Sequence, residues 1–173
     1  MTWLVLGLLV FLGAHSVRLV ADDWRTAQLA RIGEARWKGV YSLISAVGLG
    51  LIIWGYGQAR GAPLALWPSP VWTRHLAAVL TLPVFVLLVA AYLPRSHIKA
   101  WIGHPMVAGV ALWALAHLLA NGNLADLALF GSFLAWAVAD FVSARRRDRL
   151  VGRTYAVCCW TRDATVVAVG LLI

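Results

Sequence analysis

The composition of this 173-residue chain excludes a water-soluble domain. Hydrophobic residues make up 62% of it and charged residues 13%, and the mean hydropathy is +0.80. The formal net charge is +8, because 15 Lys and Arg outnumber 7 Asp and Glu. The sequence has no phosphate-binding glycine loop, no Gly-x-Ser-x-Gly turn and no paired acids, so a conventional soluble enzyme is not indicated.

Five apolar runs are long enough to cross the hydrocarbon core of a bilayer, which is ~30 Å thick. Backbone groups in lipid must find their hydrogen bonds within the segment, so each run is predicted to be a helix. The predicted spans are residues 3–20, 39–56, 74–92, 105–120 and 124–142. A sixth run, 164–173, has about half the required length and indicates a half-inserted helix or a truncated sixth span. The expected fold is an all-α integral membrane bundle that forms one domain over residues 1–173.

Basic residues are distributed unevenly between the two ends of these helices. If the five helices alternate in direction, thirteen of the 15 Lys and Arg lie on one side, and only Arg60 and Arg74 lie on the other. The positive-inside rule then assigns loops 21–38, 93–104 and 143–163 to the cytoplasm and the N-terminus to the outside. The basic excess is therefore attributed to topology and lipid headgroups, and no nucleic-acid partner is expected. Four further spans follow the first one, which is predicted to be a retained helix of a bacterial inner-membrane protein.

The sequence also indicates the structure of the loops between the spans and the residues at which helices pack closely. Residues 22–39 mix apolar and charged positions and predict a short interfacial helix, whereas the Gly- and Pro-rich residues 57–72 predict an irregular loop. Pro83 lies inside the third span and predicts a kink. Small residues in the spans, which allow close helix packing, include Gly7, Gly13, Gly48 and Gly50.

Ionisable residues inside the spans are the candidate functional groups, because they are costly in lipid. They are His15, His75, His104, His117 and Asp140. Asp140 is the one carboxylate assigned to a span, and it is expected to pair with Arg18 or with an arginine of residues 145–147. His97 falls in a short loop and is expected to be solvated. For each membrane histidine, the alternative role is a structural hydrogen bond across a helix interface.

Depth separates the two histidines of the fourth span. His117 follows His104 by thirteen residues, which is ~20 Å along the helix and roughly 140° around it, so the two cannot ligate one ion. By depth, His104 matches His15 and His117 matches His75. Two imidazoles on facing helices are a natural ligand set for haem iron. His104 also precedes Pro105 at a helix start, where backbone N–H groups can bind an anion.

Three separated segments closely resemble the NnrU family, and together they cover roughly residues 1–145. They are GLLVFLGAHSVRLVADDWR, RIGEARWKGVYSLISAVGLGLIIWGYGQAR and GHPMVAGVALWALAHLLANGNLADLALFGSFLAW. The family comprises small bacterial membrane proteins associated with denitrification genes. The resemblance thus implies a protein linked to nitrite or nitric oxide respiration.

The same His-Ser and His-Pro segments are similar to those of the 15-cis-zeta-carotene isomerase of plants and cyanobacteria, a membrane enzyme with haem b. That similarity implies haem b in this chain, with iron ligands at His15 and His117, while the depth argument favours His104 as the partner of His15. The isomerase has an alternative cysteine ligand where this chain has Ala114. The implied roles are an accessory function in denitrification or redox isomerisation of an apolar small molecule. The alternative is a non-enzymatic assembly or accessory factor with structural histidines.

Overall fold

The computed structural model describes residues 1–173 as eight helices with no β-strand. In chain order they are α1 Thr2–Val20, α2 Asp22–Ile32, α3 Glu34–Gly61, α4 Val71–Tyr92, α5 His97–Ile102, α6 Pro105–Ala120, α7 Leu124–Leu150 and α8 Trp160–Leu172. The predicted all-α class is therefore confirmed.

Four helices are long and apolar enough to cross a membrane, namely α1, α3, α4 and α7. The fifth predicted span corresponds to α6, which is apolar but has only 16 residues. Large apolar side chains point away from the protein along these helices, as shown by Leu9 and Leu43, which are each 68% exposed. Such surfaces are suited to lipid, so the chain is an integral membrane bundle. The partial sixth run lies in α8, whose 13 residues are too few to span a bilayer.

Two helices extend beyond their predicted apolar spans. α3 begins at Glu34 and ends at Gly61, so the irregular loop that follows it is shorter than the predicted residues 57–72. α7 continues through the arginine-rich segment to Leu150. Polar residues with good helix propensity continue both helices, and the Glu34 carboxylate accepts from Lys38 Nζ one turn later at 2.7 Å. Hydropathy detects only the part of a helix that lies in lipid.

A short helix, α2, is present within residues 22–39, where a short helix was predicted. Gly33, with a φ of 83°, ends it and separates it from α3. A positive φ is accessible to glycine without steric cost, which explains why the chain can turn between two helices here. The Trp24 and Trp37 rings meet edge to face across this turn, with centroids 5.8 Å apart.

The helices form two compact units, of which the first contains residues 1–66 and 123–132. Its main feature is the close packing of α1 along α3. A Cβ added to Gly7 would lie 2.6 Å from the Ile52 nitrogen, and one added to Gly48 would lie 2.8 Å from the Phe11 nitrogen. A Cβ on Gly55 would also clash with the backbone of α1. Small residues thus allow the two backbones to touch, as predicted for Gly7 and Gly48.

The same prediction was wrong for Gly13 and Gly50. A Cβ at either position would have no protein atom within 4 Å. Both glycines point away from the α1–α3 contact, because only one face of each helix meets the other. The sequence shows which residues of a helix are small, but it does not show which face of the helix packs against its neighbour.

The second unit contains residues 67–122 and 133–173. In it α4 packs against α6 on one side and α8 on another. Gly109 of α6 marks the first contact, since a Cβ added to it would lie 3.4 Å from the Leu87 Cβ and 3.6 Å from the Val84 carbonyl oxygen. The second contact is closer, since a Cβ on Gly170 would lie 2.6 Å from the Val86 Cα. α4 remains one continuous helix through Pro83.

Candidate functional site: the membrane histidines and their partners

His15 lies near the C-terminal end of α1, in the first unit. Its Nδ1 is 2.7 Å from the carbonyl oxygen of Phe11, one turn earlier. The imidazole also stacks on the Phe11 ring, with centroids 4.2 Å apart, and contacts Tyr41 at 5.2 Å. A carbonyl oxygen only accepts hydrogen bonds, so Nδ1 donates and, in the neutral ring, Nε2 carries the lone pair.

His117 lies near the end of α6, in the second unit, and repeats this arrangement. Its Nδ1 donates to the carbonyl oxygen of Trp113 at 2.9 Å. Its ring is tilted against the Trp113 ring, with centroids 5.1 Å apart, and Trp113 meets Phe133 edge to face. The two histidines that the family resemblance selects thus share one tautomer. In both, the hydrogen bond at Nδ1 orients the ring, which is the usual setting of a metal-binding imidazole.

His104 belongs to a different network, at the start of α6. It is the N-cap residue of that helix, and its Nε2 lies 2.8 Å from Asp148 Oδ2. The Tyr155 hydroxyl donates to the same oxygen at 2.7 Å. Because a carboxylate accepts, the proton of His104 is on Nε2, the opposite of the tautomer at His15 and His117. His104 and Asp148 are 44 residues apart, so no local sequence pattern predicts this contact.

A cavity of about 280 Å³ adjoins this network. His104, Tyr155, Lys99 and Arg153 line it together with the first residues of α6. Burial of the Tyr155 phenol, reinforced by its hydrogen bond to Asp148, raises the pKa of Tyr155 above its ordinary value of 10.0. The phenol is therefore a stable hydrogen-bond donor at neutral pH.

His97 contradicts the prediction of a solvated loop residue. It is the first residue of α5, its Nδ1 lies 2.5 Å from Asp163 Oδ2, and its ring stacks on Trp160 at 4.2 Å. The Ile98 N–H also donates to Asp163, at 3.2 Å. Burial alone would raise the pKa of Asp163, but the hydrogen bonds from His97 and Ile98 outweigh it and lower that pKa below its ordinary value of 3.8. This cluster holds α8 against α5.

His75 does not pair with His117 as their depths suggested. It lies in the first turns of α4, is exposed, and makes no hydrogen bond or ring contact within the protein. Equal depth is a necessary condition for a contact between two helices, but the side chains must also face each other.

The carboxylates confirm one prediction and correct another. Asp140 lies 3.9 Å from Arg147 Nη2, so the expected ion pair with one of the arginines 145–147 is confirmed. Asp140 is not, however, the only carboxylate of the spans. Asp126, in the first turn of α7, is 3% exposed and accepts from the Tyr56 hydroxyl at 2.5 Å and from Asn123 Nδ2 at 2.9 Å. Asn123 lies three residues before Asp126 at a helix start, and this spacing could have predicted their contact.

No group of three or more His, Cys, Asp and Glu side chains comes together in a way that could hold a metal ion. A zinc or iron site built from protein ligands alone would need such a group. Haem iron needs only one or two protein ligands, since the porphyrin supplies four nitrogens. Single, well-oriented imidazoles such as His15 and His117 fit that requirement.

The family model described as NnrU protein matches residues 3–173, which is nearly the whole chain. The chain belongs to the NnrU family. The membership implied by the three sequence segments is thereby confirmed, and it extends past residue 145 to the region of α8. Comparisons with curated proteins and with solved structures found no match.

Proposed function

We propose that this NnrU family protein binds haem b in the membrane, with the imidazoles of His15 and His117 as iron ligands. One observation carries the proposal. Both rings donate Nδ1–H to the carbonyl oxygen four residues earlier, at 2.7 and 2.9 Å, and this bond orients each imidazole. A neutral imidazole that is oriented by a hydrogen bond at Nδ1 is the common histidine ligand of haem. His104 has the opposite tautomer and is the weaker candidate.

The residues around the two histidines suit a flat apolar cofactor. Phe11 and Tyr41 contact the His15 ring, and Trp113 contacts the His117 ring. Aromatic faces limit ring rotation, so the backbone carbonyl and the aromatic neighbour together hold each imidazole in one orientation. Bound haem would supply reversible one-electron chemistry. The chain itself supplies the oriented imidazoles and their aromatic neighbours.

The resemblance supports an accessory role in nitrite or nitric oxide respiration. Redox isomerisation of an apolar small molecule is the second role. The isomerase's additional cysteine ligand corresponds to Ala114, which is fully buried in α6 and offers no sulfur. An isomerase built on this chain would therefore operate with histidine ligands alone, which favours the accessory role.

In the alternative hypothesis, the same hydrogen bonds have only a structural role. A histidine that bonds to a carbonyl of its own helix also satisfies one of its ring nitrogens within lipid. In that case the protein is a non-enzymatic assembly or accessory factor, and it binds no haem.

An absorption spectrum of the purified protein separates the two functions. The full chain is expressed with added haem precursor, purified in detergent, and measured before and after reduction. We expect a Soret band, and we expect haem content to fall at least severalfold in His15→Ala and in His117→Ala. His75→Ala is the matched control, because His75 is exposed and has no partner in the protein. Absence of a Soret band after haem loading, or equal spectra in all variants, would refute haem binding.

We also propose that the basic loops face the cytoplasm of a bacterial inner membrane. The only cysteines of the chain, Cys158 and Cys159, lie in the predicted cytoplasmic loop and have free thiols. A membrane-impermeant maleimide should therefore label inverted membrane vesicles but not intact spheroplasts. Labelling of intact spheroplasts would reverse the proposed orientation.

A further inference from the structure

The cavity at the start of α6 is positively charged. Its lining includes the cationic side chains of Lys99 and Arg153. Arg145 lies beside it, since a Cβ added to Gly103 would come within 2.6 Å of the Arg145 guanidinium. Asp148 is the one carboxylate of the cluster, and its side chain is 8% exposed. Three fixed cations face one anion, so a net positive charge remains.

His104 and Tyr155 hold one oxygen of the Asp148 carboxylate, and Arg153 forms a longer ion pair with the other. Asp148 Oδ2 accepts from His104 and from the Tyr155 hydroxyl, whereas Arg153 Nη1 lies 3.6 Å from Oδ1. That distance is longer than a good hydrogen bond, and the Arg153 side chain is 58% exposed. Lys99 Nζ donates to the Ala91 carbonyl oxygen at 2.7 Å, which holds the ammonium at the cavity and leaves its other protons for a ligand.

The backbone of α6 adds to this field. No side chain caps the helix, and its first residue is Pro105. Met106 and Val107, whose first-turn N–H groups have no acceptor within the helix, both line the cavity. The positive end of the helix dipole therefore lies at the same cavity as Lys99 and Arg153.

We propose that this cavity binds a phosphate group, with Lys99 and Arg153 as its charged ligands. Guanidinium and ammonium groups together are the usual protein ligands of phosphate oxygens, and a first-turn helix backbone adds neutral donors. The group can belong to a phospholipid headgroup, which is abundant at this end of a membrane helix, or to free phosphate. The site involves neither His15 nor His117, so it is independent of haem binding.

Three variants that each remove one positive charge test the site. Lys99→Gln and Arg153→Gln remove the two proposed ligands. Arg149→Gln is the matched control, because Arg149 is exposed, belongs to the same basic segment, and does not line the cavity. Arg153 is largely exposed, so its replacement leaves the fold intact, and it decides the question if Lys99→Gln proves unstable.

The full-length protein in detergent is titrated with phosphatidylglycerol, measured by native mass spectrometry, and separately with inorganic phosphate, measured by calorimetry. Loss of one charge-assisted contact should weaken binding roughly tenfold in Lys99→Gln and in Arg153→Gln, and less than twofold in Arg149→Gln. This pattern with phosphatidylglycerol identifies a headgroup site. The same pattern with inorganic phosphate alone identifies a free-phosphate site. If neither probe binds, or if the control loses as much affinity as Arg153→Gln, the proposal is wrong.

Discussion

Two glycines of α3 offer a test of how the first unit packs. Gly48 is buried, and a Cβ added to it would lie 2.8 Å from the Phe11 nitrogen of α1 and 2.9 Å from the Phe11 Cα. Gly50, two residues later, would place its Cβ in open space. Replacement of each by alanine therefore makes the same chemical change in the same helix, with and without a clash against a backbone.

The expected difference follows from two opposing contributions. Alanine in place of glycine inside a helix is favourable by about 1 kcal/mol, and this gain applies at both positions. An added methyl group in a closely packed contact costs about 1–3 kcal/mol, and this cost applies only to Gly48→Ala. The clash at Gly48 is difficult to relieve, because it is with the main chain of Phe11 rather than with a flexible side chain. Gly48→Ala should therefore be about 1–3 kcal/mol less stable than Gly50→Ala.

Reversible unfolding in mixed micelles with increasing denaturing detergent, followed by circular dichroism, measures this difference. We expect Gly50→Ala to unfold at the same or a higher detergent fraction than the parent, and Gly48→Ala at a lower one. Equal midpoints for the two variants would show that α1 does not approach α3 at Gly48, and the glycine argument for this unit would be wrong.

Three further outcomes are expected. Asp126→Asn should destabilise the protein by about 1–3 kcal/mol in the same detergent titration, because it weakens a buried hydrogen-bond acceptor, whereas Asp23→Asn at an exposed position should have little effect. The pKa of Asp163 is lowered on folding, so its contribution to stability is present above about pH 4 and is lost as the pH falls through the folded-state pKa. Stability measured at about pH 3 and about pH 6 should consequently differ less in Asp163→Asn than in the parent. Gly170→Ala should increase hydrogen exchange throughout α8, since its Cβ would lie 2.6 Å from the Val86 Cα, and unchanged exchange would show that α8 is not held on α4 at this point.

The membrane-spanning helices were predictable because their signal is local. Each span is a continuous apolar run, and lipid imposes helical structure on any such run whatever it packs against. Local patterns also predicted the short helix α2 and the ion pair of Asp140, whose partner Arg147 lies two turns further along the same helix. Hydropathy missed the polar extensions of α3 and α7, because it measures contact with lipid rather than helix length.

The sequence by itself thus determined the class of protein, the approximate spans, the family and the candidate histidines. Only the tertiary structure decided how those histidines are used. His97 meets Asp163 across 66 residues and His104 meets Asp148 across 44, so neither pairing has a local pattern. His15 and His117, by contrast, bond to carbonyls of their own helices. The physical reason is that lipid sets where a helix lies, whereas the choice of a polar partner depends on which faces of distant helices meet.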